Sequence, residues 1–337
     1  MTRPGAHLRE VEEGILADFL AVALLYDLLE SGALGPEARS VDLVRLPLAR
    51  AVLERVGVVD ADGAQTEAFL SLLATRGAAL RSRIRFLRDA ARDILDHGAD
   101  LLARPERFMA VSRVFSFFDY SAGFREGRVA RAATQDWCNY VAALSDLEGP
   151  ELSWKLAEML APDLPGNILE VGGNIGAFAA HVLAAVGPVG YRILDIPQVC
   201  SIGADHVAGR GLGITFLPGD MHRMDWSALA ASGAPDCILF KSVLHDWPAD
   251  RTRSVLADAA GCMVQNGRVV IVERTEFAAG NLGAGAFSDA ANAVFAPFFR
   301  GAGFYADLLC ALYPGARLRT EYVDLDMRWF ILVADLP

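Results

Sequence analysis

Residues 167–176 read NILEVGGNIG: an apolar run that ends in an acid and then in a glycine-rich turn. Directly after it comes FAAHVLAAV, a helical segment, and then YRILDI, a second apolar run that closes on Asp195. Outward from there, short runs apolar throughout alternate with helical segments: ITFLPGD, CILFKSVL, a helix over 251–263, RVVIVE, and WFILVAD near the end. Strands buried on both faces and separated by helices make a parallel sheet, because each crossover helix covers one face. The fold class is α/β, a doubly wound, mostly parallel sheet of Rossmann type.

In such sheets ligands gather at the carboxyl ends of the strands, so the residues just after each run carry the information. After the first strand, Glu170 leads into Gly172, Gly173, Asn174 and Gly176, where missing side chains let a ligand approach the backbone and Asn174 tolerates a left-handed conformation. Asp195 follows about 19 residues later, the position at which a carboxylate can accept both hydroxyls of a ribose. The next run ends in Gly219-Asp220-Met221-His222, a carboxylate suited to an amino group and a thioether suited to an aromatic base. The run after that gives Lys241-Ser242-Val243-Leu244-His245-Asp246-Trp247, a histidine where a substrate would meet a cofactor.

The half before the sheet differs in kind. Residues 14–34, GILADFLAVALLYDLLESGAL, read as one helix that is apolar nearly all round and needs partners on every side. Residues 46–73 run from a helix through GVVD and an Asp-Gly turn into another apolar segment, the order of a winged helix. Arg81, Arg83, Arg85 and Arg88 open a further helix and read as a solvated face; Phe115, Phe117, Phe118, Tyr120, Phe124, Trp137 and Tyr140 read as core with some pocket wall. A formal net charge of -11 argues against a nucleic-acid partner. Five scattered cysteines without close pairs, and a start without a signal peptide's apolar core, predict a cytoplasmic protein with ordinary thiols, no membrane span and no metal site.

The motifs EVGGNIG, DIPQV, GDMH and LHDW, in that order and spacing, resemble those of the small-molecule O-methyltransferases that use S-adenosylmethionine (SAM), whose versions read D-V-G-G-G-x-G, D-L-P, G-D-M-F and L-H-D-W. The resemblance implies a helical, winged-helix-like dimerisation and substrate-capping domain over 1–148 and a SAM-binding catalytic domain over 149–337. It implies that Glu170, Gly172, Gly173, Asn174 and Gly176 cradle the methionine part of SAM. Asp195 would hold the ribose, Asp220 and Met221 would face the adenine, and Lys241 would sit beside the cofactor. His245 matches the family's general base, with Glu273 and Asp289 as its flanking acids. The implied protein is a homodimer acting on a small aromatic substrate and releasing S-adenosylhomocysteine (SAH).

Departures from the pattern mark what transfers least. Glu170 stands for the usual Asp, Asn174 for a Gly, and the stretch between Glu273 and Asp289 is shorter than the family's usual connection to its substrate pocket. A phenolate reacts at oxygen or at ring carbons, so the same base serves O-methylation, which the family favours, or ring C-methylation. A member that binds SAM without methyl transfer is a further alternative. A nicotinamide dehydrogenase would share the glycine turn and Asp195 yet leave GDM and LHDW unexplained, and a winged-helix regulator would leave the second half idle.

Overall fold

The computed structural model describes residues 6–35, 47–116, 131–275, 287–325 and 327–337. In chain order they form helices α1 (Ala6–Ala17), α2 (Phe19–Glu30), α3 (Pro47–Arg55), α4 (Glu67–Ala103), α5 (Pro105–Val111), α6 (Arg113–Ser116) and α7 (Arg131–Leu160). Then come β1 (Asn167–Val171), α8 (Ala177–Val186), β2 (Gly190–Asp195), α9 (Pro197–Val207), β3 (Ile214–Pro218), α10 (Trp226–Ala231), β4 (Cys237–Lys241) and α11 (Ala249–Gly261). The chain finishes with β5 (Arg268–Arg274), α12 (Asp289–Phe295), α13 (Ala302–Leu312), β6 (Arg317–Asp324) and β7 (Arg328–Asp335).

Two compact units result: Met1–Val129 with Leu282–Pro297, and Ala130–Asn281 with Phe298–Pro337. The first therefore gives up the chain at Val129, whereas the sequence reading divided it at 148/149, a point that falls inside the continuous helix α7. It also takes back α12, whose Phe295 ring lies against Phe86 and Phe115.

Within the first unit, the apolar run 14–34 is two helices and not one. Asp18 is extended and accepts the Ala21 N–H at 3.0 Å, capping α2 and ending α1. The break lets Ile15 and Leu16 of one helix and Val22, Leu25 and Leu29 of the other bury into one core with Phe69, Leu72 and Ile84. The expected wing is reduced to a single bridge, Val59 with Gln65, around an Asp60 turn, before Thr66 caps α4. The arginine row is only partly a solvated face, with Arg85 exposed. Arg83 binds the buried Glu12 at 2.8 Å, Arg81 donates to the Leu29 carbonyl at 3.1 Å, and Arg88 lies 3.9 Å over the Tyr26 ring, tying α4 to α1 and α2. Of the aromatic stretch, Phe108 and Phe115 are core, while Phe117, Phe118, Tyr120 and Phe124 lie outside the described residues.

The second unit is the doubly wound sheet, in the order β3-β2-β1-β4-β5-β7-β6. β1 to β5 are parallel, and β7 enters antiparallel between β5 and β6. β1 is followed by a step to β2 on one side and β4 on the other, so the order reverses there and a crevice opens at the strand ends. β4, CILFK, and β7, RWFILVAD, are buried almost throughout because helices cover both faces. β6 is mostly exposed and charged, which is why its residues carry no apolar run to read. One face packs Leu169, Phe240, Ile271 and Phe330 with α11 and α13; the other packs Ile168, Leu239, Val270 and Trp329 with α7 and α8. Among the described residues no helix is long and apolar enough to cross a membrane.

Candidate functional site

The turn after β1 is shaped by backbone geometry. Gly172 has φ +72° and a Cβ there would lie 2.6 Å from Val243, so only glycine lets the turn press against the loop after β4. Asn174 adopts φ 53° and returns its own side-chain oxygen to the Ile175 N–H at 2.8 Å, which stabilises the left-handed turn that a Gly would otherwise be needed for. Gly176, at φ +81°, opens α8. Below the turn, Glu170 is fully buried and accepts the Tyr191 hydroxyl at 2.8 Å; a Cβ on Gly173 would lie 2.9 Å from its carboxyl carbon. Burial pushes the Glu170 carboxyl up to about 7, against the pull of Tyr191 and Lys241.

Asp195, at the end of β2, accepts the Asn174 N–H at 2.8 Å on one oxygen and the Ile196 N–H at 2.7 Å on the other. Burial raises it to about 6. Each oxygen keeps a lone pair for a further donor, which is what a pair of hydroxyls requires. After β3, Asp220 accepts the His222 N–H at 2.9 Å, and the Met221 carbonyl accepts the Trp226 indole N–H at 3.2 Å. His222 lies edge-on to Trp247, ring centres 4.1 Å apart, and burial lowers its pKa. The ends of β1, β2, β3 and β4 thus bring the glycine turn, Asp195, Asp220 and the His245 turn to one edge of the sheet.

His245 sits in a 3-10 turn, Leu244–Asp246, directly after β4. Its Nδ1 is 2.7 Å from Glu273 Oε2, while Glu273 Oε1 accepts the Val243 and Leu244 N–H groups at 3.0 Å each. One carboxylate therefore fixes both the backbone of the turn and the imidazole it carries. Asp246, the next residue, places Oδ1 3.3 Å from Nε2, and the Phe299 ring stands edge-on to the imidazole at 5.3 Å. Burial, the largest single influence, works against the imidazolium, but Glu273 and Asp246 together outweigh it and the pKa is raised above the ordinary value. Glu273 is lowered despite burial, through the His245 charge and the two backbone donors, whereas burial lifts Asp246 to about 6. Arg300 clamps the turn from outside, donating to the Leu244 and Trp247 carbonyls at 3.2 and 2.6 Å.

Lys241 is buried with its ammonium bound by Glu148 between the rings of Phe178 and Trp329. Asp289 begins α12 in the first unit, and its Oδ2 is buried without a hydrogen-bond partner among the described residues. Within the second unit the carboxylate that faces Nε2 is Asp246, which stands in the LHDW motif and was open to view there. Glu148 was not: it lies 93 residues from Lys241 and no local pattern marks it. Among the described residues no group of three or more His, Cys, Asp or Glu is placed to hold a metal ion.

Residues 159–284 match the family model described as the O-methyltransferase domain. The 3-hydroxy-5-methyl-1-naphthoate 3-O-methyltransferase of Streptomyces sahachiroi is 27% identical over 113 residues, 33% of this chain and 32% of that enzyme. The chain therefore spans about a third of the length of that relative. The O-demethylpuromycin-O-methyltransferase of Streptomyces alboniger is 26% identical over 240 residues, 66% of this chain and 63% of that enzyme. The solved structure of human N-acetylserotonin methyltransferase in complex with SAM is similar in fold, with a TM-score of 0.68, 16% identity and coverage of 94% of each chain. The glycine turn, Asp195, Asp220 and the His245 turn all fall inside the stretch that is similar to that domain.

Proposed function

We propose that the protein is a SAM-dependent methyltransferase that methylates a hydroxyl of a small aromatic substrate, with His245 as general base. The observation that carries this reading is the fixed pair of His245 Nδ1 and Glu273 at 2.7 Å, on a turn whose backbone the same carboxylate holds. Glu273, lowered and ionised, accepts the Nδ1 proton; once the imidazolium gives up the Nε2 proton that Asp246 favours from 3.3 Å, the neutral imidazole has its lone pair on Nε2. Nε2 would then take the proton of the acceptor hydroxyl, and with SAM bound that oxygen would receive the methyl as the sulfur leaves with the bonding pair, giving a methyl ether and SAH. SAM, when bound, supplies the methyl already activated on a sulfonium.

The residues fit that group. The turn Gly172–Gly176 has no side chain in the way at three of its five positions, Asp195 keeps acceptor capacity for a ribose, and Asp220 with Met221 offers a carboxylate and a thioether for an adenine. Glu170, under the turn, shapes the cradle through Tyr191, and Lys241 contributes from beneath through Glu148. The aromatic class of acceptor is supported by the naphthoate named for the Streptomyces sahachiroi relative and by Phe299 at the imidazole. Asp289, which the resemblance implies as a second acid, has its Oδ2 buried without a hydrogen-bond partner among the described residues. Exposed Phe19, Leu20 and Leu48 on α2 and α3 support the homodimer, and five free cysteines suit a reducing cytoplasm.

The test is to incubate the full chain with methyl-labelled SAM and a panel of hydroxylated aromatic acids and amino acids, and to locate the methyl by NMR. A labelled methyl ether supports the proposal; SAH binding without label in any product overturns it in favour of a SAM-binding protein with other chemistry.

A further inference from the structure

β5 ends in two adjacent ionisable residues, and strand geometry sends them to opposite faces of the sheet. Glu273 goes to the α13 face and His245. Arg274 goes to the α7 face, where its guanidinium lies 4.1 Å over the Trp329 ring and donates to Glu148 Oε2 at 2.9 Å. The other oxygen of Glu148 binds Lys241 at the end of β4. All three side chains are at least nine-tenths buried. Ser242, between Lys241 and the His245 turn, has φ 52°, a strained conformation for a residue with a side chain, and Arg274 reaches its hydroxyl at 3.5 Å. Glu148 itself is placed by close helix packing: a Cβ on the next residue, Gly149, would lie 2.5 Å from the His181 ring of α8.

We propose that Glu148 is a positioning residue for the His245–Glu273 pair: from the opposite face it clasps Lys241 and Arg274, locks the ends of β4 and β5 together, and cancels cationic charge beneath the imidazole. Two buried cations gathered on Glu148, with Glu170 also within electrostatic reach of Lys241, would be costly as a purely structural choice, since well-packed apolar residues of like volume commonly do as well or better. Here the cluster lies between the two strand ends that supply the base and its partner. The inference rests on His245 being the base, but it is tested without turnover.

Among the described residues of the second unit, the charged groups that face His245 include Glu273 at Nδ1, Asp246 at Nε2, and, at longer range, Arg274. Arg300 holds the turn's carbonyls and faces Asp246, and Tyr305 of α13 faces Glu273. The sign of each substitution follows. Glu148→Gln removes the carboxylate that both Arg274 and Lys241 bind and leaves only Glu170 near Lys241, so the local potential becomes more positive and the imidazolium is disfavoured. Arg274→Met leaves Glu148 held by Lys241 alone, so the potential becomes more negative and the imidazolium is favoured. Simple loosening of the site would move both variants the same way, toward the free imidazole.

The experiment is NMR titration of the His245 ring in the full chain labelled with ¹⁵N-histidine, assigned by its loss in His245→Gln, with SAH affinity measured alongside by calorimetry. The expected result is a midpoint that falls in Glu148→Gln, rises in Arg274→Met and returns to the wild-type value in Glu148→Asp. Midpoints that shift in the same direction in the first two variants, or do not shift, overturn the proposal. If Glu148→Gln does not fold, Arg274→Met decides: a rise supports the proposal, and a fall or no change overturns it. Failure of the methyltransferase reading would show separately, as wild-type protein that titrates as expected yet transfers no methyl.

Discussion

Asp195 and Glu273 are two carboxylates at strand ends, the first half-buried and the second fully buried, and each accepts two backbone N–H groups. They behave in opposite ways: Asp195 is lifted to about 6, while Glu273 is held below its ordinary value. Backbone donors are common to both and Glu273 is the more deeply buried, so the difference lies in the partner. Glu273 has the His245 imidazole at 2.7 Å, and among the described residues no cation is in hydrogen-bonding reach of Asp195. A carboxylate that must pair with a base is built with its counter-charge in place. Asp195, which on the proposed reading accepts neutral hydroxyls, has only backbone donors among the described residues, and its ionisation is more easily lost.

The largest effect tests the counter-charge itself. His245→Gln should lower turnover by about 10² to 10⁴, the range of a positioned base, while SAH affinity stays near wild type. With the imidazole gone, Glu273 should titrate upward and come to resemble Asp195, visible by carboxyl-carbon NMR. Next is Glu273→Gln, which keeps an acceptor for the Val243 and Leu244 N–H groups but removes the charge. A hydrogen bond to a charged group is worth about 1.5 to 3 kcal/mol, so turnover at neutral pH should fall about tenfold to a hundredfold. The acid limb of the pH profile should also move to lower pH, because a carboxylate that raises the imidazole pKa has been lost.

On the other side of the comparison, Asp195→Ala should weaken SAH binding by about 1 to 3 kcal/mol by calorimetry. In the wild type, SAH affinity should decline as pH falls through about 6, where Asp195 takes up a proton and loses acceptor capacity. A pH-independent affinity would break the contrast. The smallest effect is expected where a pair is exposed: Arg88–Asp27 spans 3.4 Å with Asp27 largely in water, and Asp27→Asn should change stability by no more than about 1 kcal/mol in urea unfolding.

The two corners also differ in how much of them can be read without a structure. The Asp195 corner is local: glycine turn, Asn174 and Asp195 follow one another at fixed offsets, so their meeting is written in a short stretch of chain. At the His245 corner the base and Glu273 follow from strand ends, but Asp246 was passed over inside a motif that had already been assigned one role. Glu148 could not be reached at all, because its contact depends on how closely α7 packs on α8 at Gly149. In the first unit, apolar content alone merged α1 and α2; Asp18 was the signal, since a carboxylate before a helical run caps it. The arginine row was misread for a related reason, as charge says nothing of whether Glu12 and Asp27 stand opposite. Asp289 was chosen by spacing, which cannot say that α12 packs with the first unit.

The central claim is that a neutral His245, held by Glu273, removes the acceptor's proton. Its most direct test is the pH dependence of methyl transfer from labelled SAM to a weakly acidic phenol, in wild type and Glu273→Gln. The account predicts a wild-type rate that rises with pH through a midpoint above the ordinary histidine value, and a midpoint at lower pH in the variant. A wild-type rate that does not fall at acid pH, or an unchanged midpoint in the variant, would contradict it.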